Sequence, residues 1–151
     1  MLDRRTILLG AGATALLAAG RVAAQATSHV VEMTGSPGGD MAFSPRVLRV
    51  APGDSVTFRP VGGPHNCQST PGMIPQGANS WRGRIGQPVT VTFGRPGYYG
   101  YHCLPHRGLG MVGLVIVEGE GRDANLEAAR AVSHPGKAAG VWAEIWDEVV
   151  S

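Results

Sequence analysis

The chain has 151 residues, with 13 Lys and Arg against 11 Asp and Glu, 43% hydrophobic and 16% charged residues, 23 glycines and 11 prolines. That composition excludes a long coiled coil and a basic nucleic-acid-binding arm, and its Gly and Pro content stays below the roughly 25–30% that marks a disordered chain. A length of this order fits one domain with many turns and few long helices.

Arg4 and Arg5 precede an uncharged run of small and apolar residues from Ile7 to Ala19. Ala24-Gln25-Ala26 then has the small-x-small form of a signal-peptidase site. The run is shorter than the roughly 20 residues a membrane-spanning helix needs, so residues 1–26 read as an export signal and not as an anchor. The stretch Asp3 to Leu8 also fits a twin-arginine signal, with a general secretory signal as the competing reading. Residues 27–151 are then a mature exported domain with no further membrane insertion, and the expected compartment is the periplasm. Its charges are uneven: residues 27–117 carry seven Arg against Glu32, Asp40 and Asp54, whereas residues 118–151 carry seven acids against Arg122, Arg130 and Lys137.

Residues 27–119 read as short strands. His29 to Met33, Val47 to Val50, Val56 to Arg59, Val89 to Phe93, Tyr98 to His102 and Val112 to Val117 are β-branched or aromatic runs. Turn pairs such as Pro52-Gly53, Pro71-Gly72 and Pro96-Gly97 separate them. The spacing predicts an antiparallel sandwich or barrel. Residues 120–151 change character: Leu126, Ala129 and Val132 recur at helical spacing behind Asp123, a candidate N-cap, and His134-Pro135-Gly136 interrupts them. A second helix is expected from about Lys137 to Val150, with Ala138, Val141, Trp142, Ile145 and Val149 on an apolar face that lies on the sandwich. Trp142 and Trp146 read as core.

The chemistry is concentrated between Tyr101 and Met111. Cys103, His106 and Met111 form a C-x2-H-x4-M arrangement between two predicted strands, so one loop can present thiolate, imidazole and thioether to one point. A fourth ligand must come from elsewhere, and His65 stands where an earlier strand begins. Two imidazoles and a thiolate with an axial thioether are the donor set of blue-copper electron-transfer sites. Structural zinc favours four Cys or His donors and leaves the thioether without a purpose.

This constellation resembles the cupredoxins, and among them the pseudoazurin group. The resemblance rests on Met41-Ala42-Phe43-Ser44-Pro45, Val50 to Phe58, Met73-Ile74-Pro75-Gln76-Gly77-Ala78 and Pro105 to Gly113, and it covers nearly all of residues 28–150. Plastocyanins share a similar loop but end at the following strand, and amicyanins have a shorter interval between loop histidine and methionine. The resemblance implies an all-β, Greek-key cupredoxin β-sandwich with two C-terminal α-helices, binding one type 1 copper through His65, Cys103, His106 and Met111. It gives Asn66 a supporting role, its backbone N–H donating to the cysteine sulfur and its side chain tying the two ligand loops together. Pro105 has no N–H and so withholds a second donor from that sulfur. The resemblance further implies single-electron transfer through the edge of His106. Pro64, Pro105, Leu109 and Met41 would form an apolar docking patch, rimmed by Arg82, Arg84 and Arg107. Implied partners are nitrite reductase, nitrous oxide reductase or c-type cytochromes, met by a monomer.

Several residues depart from that pattern. His102 stands where a lysine is common, and strand alternation points it away from the metal, toward the rim. Leu109 replaces a frequent second methionine, and Lys137 is the only lysine. Cys67 shares a face with His65 and is expected to fill core volume. Three other readings compete: a disulfide between Cys67 and Cys103 with no metal, a copper carrier or storage protein, and a copper enzyme using His102-Cys103 as an inter-copper bridge. His29 and His134 have no evident partner and are expected at the surface.

Overall fold

The structure is a computed structural model that describes residues 24–36 and 38–151, so residues 1–23 of the predicted export signal lie outside the described residues. Eight strands follow in chain order. They are β1 (Ser28–Thr34), β2 (Ala42–Ser44), β3 (Val47–Val50), β4 (Ser55–Pro60), β5 (Gln68–Ser69), β6 (Val89–Thr92), β7 (Gly97–His102) and β8 (Val112–Val117). A 3-10 turn at Arg122–Asn125 leads into helix α1 (Leu126–Arg130), and α2 (Ala138–Val150) closes the chain. The six predicted strands are all present; the two short ones, β2 and β5, carry too few residues to show a periodicity.

The strands form two four-stranded sheets in the orders β2-β1-β4-β6 and β3-β8-β7-β5. The sandwich is therefore not purely antiparallel as expected. β1 runs parallel to β4 and β3 parallel to β8, because the chain crosses to the other sheet between the members of each pair.

Every residue of β7 and β8 is buried. Strand alternation explains why: Tyr99, Tyr101, Val115 and Val117 enter the core between the sheets, whereas Tyr98, Val112, Leu114 and Ile116 face the helices. α2 covers this second face with Ala138, Trp142, Ile145 and Trp146, spaced one and two turns apart. Trp142 and Trp146 stack at 5.4 Å between ring centroids, as core residues. Val149 is only half-buried, and Trp146 takes the place expected for it.

Asp123 is not an N-cap. It accepts a hydrogen bond from the Tyr98 hydroxyl at 2.9 Å, and α1 begins three residues later. Asn125 instead binds the edge of β7, accepting from Tyr98 N–H at 3.0 Å and donating to its carbonyl at 2.8 Å. A side-chain amide thus substitutes for a neighbouring strand and fixes the helical segment against the sheet.

Candidate metal centre

The end of the sandwich where β7 stops is built by strand register. β5 pairs with β7 so that Gln68 lies opposite His102. Continuing that ladder brings the segment His65–Cys67 alongside Cys103 and Leu104. Asn66 completes the join: its Oδ1 accepts from Leu104 N–H at 2.6 Å, and its Nδ2 donates to the Gly83 carbonyl and to Gln68 Oε1, both at 3.1 Å. The ligand loop is closed on itself by Cys103 N–H donating to the Met111 carbonyl at 3.0 Å and Met111 N–H donating to the His106 carbonyl at 3.2 Å. Gly110, at φ 93°, supplies the left-handed turn that ends the short 3-10 segment Arg107–Leu109.

These constraints bring three donors together. His65 Nδ1 lies 3.2 Å from His106 Nδ1, and Cys103 Sγ lies 3.9 Å and 3.5 Å from the two nitrogens. All are buried, and their ligand atoms lie within 4.8 Å of one another. Met111 is completely buried in the core cluster that holds Cys103.

The imidazole of His65 is oriented by its other nitrogen. Nε2–H donates to the Gly35 carbonyl at 2.9 Å, an assignment from the hydrogen-bond network that leaves a lone pair on Nδ1 facing the cluster. Gly63 permits this packing: at φ 59°, a side chain there would meet His65 Nε2 and the Gly35 carbonyl at 2.9 Å.

Electrostatics favours uncharged donors here. Burial pushes the Cys103 thiol up, opposed by the backbone N–H groups of Asn66 and His106 that reach its sulfur. Burial, then the neighbouring His65, pushes His106 down. Two imidazoles and a thiol enclosed together fit a soft cation that displaces the thiol proton, with Met111 as an apolar donor of matching softness.

The Asn66 side chain ties the two loops together through Leu104 N–H and the Gly83 carbonyl. Pro105 has no N–H to donate, and the N–H of the next residue, His106, donates to the Cys103 carbonyl at 3.2 Å. Cys67 and Cys103 are free thiols, which overturns the disulfide reading. Cys67 fills core volume, fully buried, and accepts from Trp81 Nε1 at 3.5 Å.

Three histidines need correction. His102 does point away from the cluster, yet it is 3% exposed and not at the rim. It shares a 2.7 Å hydrogen bond with Thr70 Oγ1, and burial, with Arg107 nearby, lowers its pKa to about 4. Among the described residues it belongs to no cluster of three or more His, Cys, Asp or Glu donors that could hold a second metal. His29 bonds Asp54 at 2.9 Å, and His134 stacks on Trp142 at 5.0 Å. Both partners are distant in sequence and so were invisible there.

Around the cluster, Pro64, Pro105 and Leu109 are exposed, and Met41 is half-buried in a groove shared with Leu109. Arg82 and Arg84 are exposed beside Leu104 and Ile85. Arg107 is half-buried, its guanidinium 3.4 Å from His134 Nδ1, so it is less a rim residue than a support of the loop. Leu104 and Ile85, 45% and 52% exposed, extend the apolar surface and were missed. Leu104 could have been found, since an apolar residue between two loop ligands has little core to enter.

A Greek-key sandwich whose open end gathers one thiol, two imidazoles and a buried thioether is the architecture of the cupredoxin class. Residues 30–118 match the family model for copper binding proteins of the plastocyanin/azurin family. The chain is 43% identical to the pseudoazurin of Methylorubrum extorquens over 84% of its length and 85% of that protein's. It is 39% identical to that of Paracoccus pantotrophus over 86% and 88%. The solved structure of native pseudoazurin from Hyphomicrobium denitrificans superposes with a TM-score of 0.73 at 31% identity, covering 82% of this chain and 99% of that one. The chain belongs to the plastocyanin/azurin family of copper-binding proteins, and within it to the pseudoazurins. It is a blue copper electron-transfer protein that exchanges electrons with redox partners, and it is not an enzyme.

Proposed function

We propose that His65 Nδ1, Cys103 Sγ, His106 Nδ1 and the Met111 thioether hold one copper ion. The convergence of the first three atoms within hydrogen-bonding distances of one another carries this assignment. Copper supplies a one-electron couple. The chain supplies a pocket held from several directions: Gly35 orients His65, Asn66 ties the two ligand loops, and reciprocal backbone bonds fix the separation of Cys103 and Met111. Donors held this way shift little when charge changes, which keeps reorganisation small.

His106, 7% exposed, is the ligand that reaches the surface. Pro64, Pro105, Leu109, Leu104 and Met41 form an apolar collar around it, and Arg82 and Arg84 give the collar a positive border. Such a face suits a brief encounter with an acidic partner, since charge accelerates approach and a small apolar contact lets the complex part quickly. The partners that fit are nitrite reductase, nitrous oxide reductase or c-type cytochromes, met by a monomer in the periplasm after removal of residues 1–26.

The test is a visible spectrum of the oxidised, copper-loaded protein before and after ascorbate, with copper counted per chain. An intense thiolate-to-copper band near ~600 nm that bleaches, at one copper per chain, is the expected result. A colourless protein that binds copper without Cys103 would overturn the assignment.

A further inference from the structure

The first backbone N–H of the folded domain is aimed at a carboxylate. Thr27 N–H donates to Asp54 Oδ1 at 2.8 Å, and the Thr27 carbonyl accepts from Ser55 N–H at 3.0 Å. Ser28 then opens β1 in register with Ser55. Asp54 is only 5% exposed and receives two more donors on its other oxygen, Ala51 N–H at 3.0 Å and His29 Nε2 at 2.9 Å. The Thr27 hydrogen bond, followed by those of His29 and Ala51, holds the carboxyl at about 2, so it is an anion at any neutral pH. Ala24, Gln25 and Ala26 are exposed and belong to no strand. The Ala26–Thr27 peptide bond therefore sits one residue outside the sheet, where a peptidase can reach it without unfolding β1.

Resting on the reading above that the export signal is cut after Ala26, we propose that the cut turns the Thr27–Asp54 hydrogen bond into an ion pair, so that processing itself clamps the first strand to the turn before β4. Hydrolysis by a signal peptidase adds water across the amide. The water oxygen bonds to the Ala26 acyl carbon, which leaves as a carboxylate, while the Thr27 nitrogen takes the electrons of the broken C–N bond and gains two protons to become an α-ammonium. That nitrogen already lies 2.8 Å from Oδ1, so a full positive charge appears where an amide dipole stood, against an anion with little access to water.

The titratable side chain hydrogen-bonded to Asp54 among the described residues is His29, which occupies the other oxygen and is charged only when protonated. With His29 neutral, the ammonium is the sole charged donor to that carboxylate. Pairing raises the folded-state pKa of the amine above its ordinary value of roughly 7.7–8.0. The sign of the linkage follows: the added stability is complete below the unfolded value and is lost as pH rises through the folded one.

The experiment compares two copper-loaded chains, one beginning at Thr27 and one beginning at Ala26, whose single extra residue restores an amide at Thr27 and moves the amine away. Each amine is titrated by the pH dependence of its acylation. The expected result is an amine held about one unit higher in the chain beginning at Thr27, a roughly fivefold lower reactivity near pH 8, with its protection abolished by Asp54→Asn. The chain beginning at Thr27 should also unfold at a higher temperature at pH 7, the difference vanishing near about pH 11. Equal amine titration in the two chains would overturn the proposal, and because both retain Asp54 this outcome does not depend on the variant folding. Sequencing the N-terminus of the exported protein tests the cut separately: a start other than Thr27 refutes the cleavage reading and leaves the titration result standing.

Discussion

The ligand end of the sandwich and the face covered by the helices handle charge in opposite ways. At the ligand end, burial pushes Cys103 up and both His102 and His106 down, so these three groups favour their neutral forms. On the helical side, Arg46 pairs with Glu144, Arg49 with Glu118, and Arg122 with both Glu118 and Asp123. The acidic last segment thus offsets Arg46 and Arg49 of the front segment. Among the described residues neither Arg82 nor Arg84 has a carboxylate within ion-pair distance, and both lie beside the ligand loop. The uneven charge in the sequence becomes a neutral flank and a positive docking end.

This contrast can be broken at several places. Cys103→Ala should abolish the visible band entirely, with Met111→Ala retaining copper but altering spectrum and potential; absorption and voltammetry distinguish them. Trp142→Ala should cost about 3–5 kcal/mol of stability in denaturant unfolding while leaving the visible spectrum in place, because its loss opens a cavity on the helical side. Asn66→Ala should cost less, about 1–3 kcal/mol, by leaving the Leu104 N–H without its acceptor, yet it should shift the spectrum. Reversing Arg82 and Arg84 to Glu should slow association with an acidic partner by about tenfold at low salt with no change in stability, and added salt should erase the difference. Arg46→Ala, which breaks an exposed pair, should change stability by less than about 0.5 kcal/mol.

Acid should expose the helical side too. Burial lowers the pKa of His134 to about 4, against 6.5 when unperturbed. Unfolded chains therefore take up a proton that the folded chain refuses, and stability falls as pH drops from about 6.5 to about 4. His134→Phe, which keeps a ring on Trp142, should flatten unfolding midpoints across that window; an unchanged slope would assign the loss to His102 instead.

Much of the site could be read from residues alone. Cys103, His106 and Met111 are close in the chain, so one loop must hold them near each other, and the thioether argues for copper over zinc. The strand runs of β7 and β8 were equally legible, since β8 is almost wholly aliphatic and β7 carries three tyrosines in five residues. What escaped were relations between distant segments. Gly35 gives no hint that its carbonyl orients His65, nor Asp54 that it binds Thr27 and His29. His102 was placed at the rim because alternation tells which way a side chain points but not what covers that side.

The sequence by itself determined the ligand chemistry, the β-rich body, the helical tail and the imbalance of charge, because each follows from residue type and local spacing. Tertiary structure decided the pairing of parallel strands, the orientation of His65 by the Gly35 carbonyl, the pairing of the tail's acids with distant arginines and the pinning of the first strand. Those depend on which distant groups meet, and on how much water is excluded where they do.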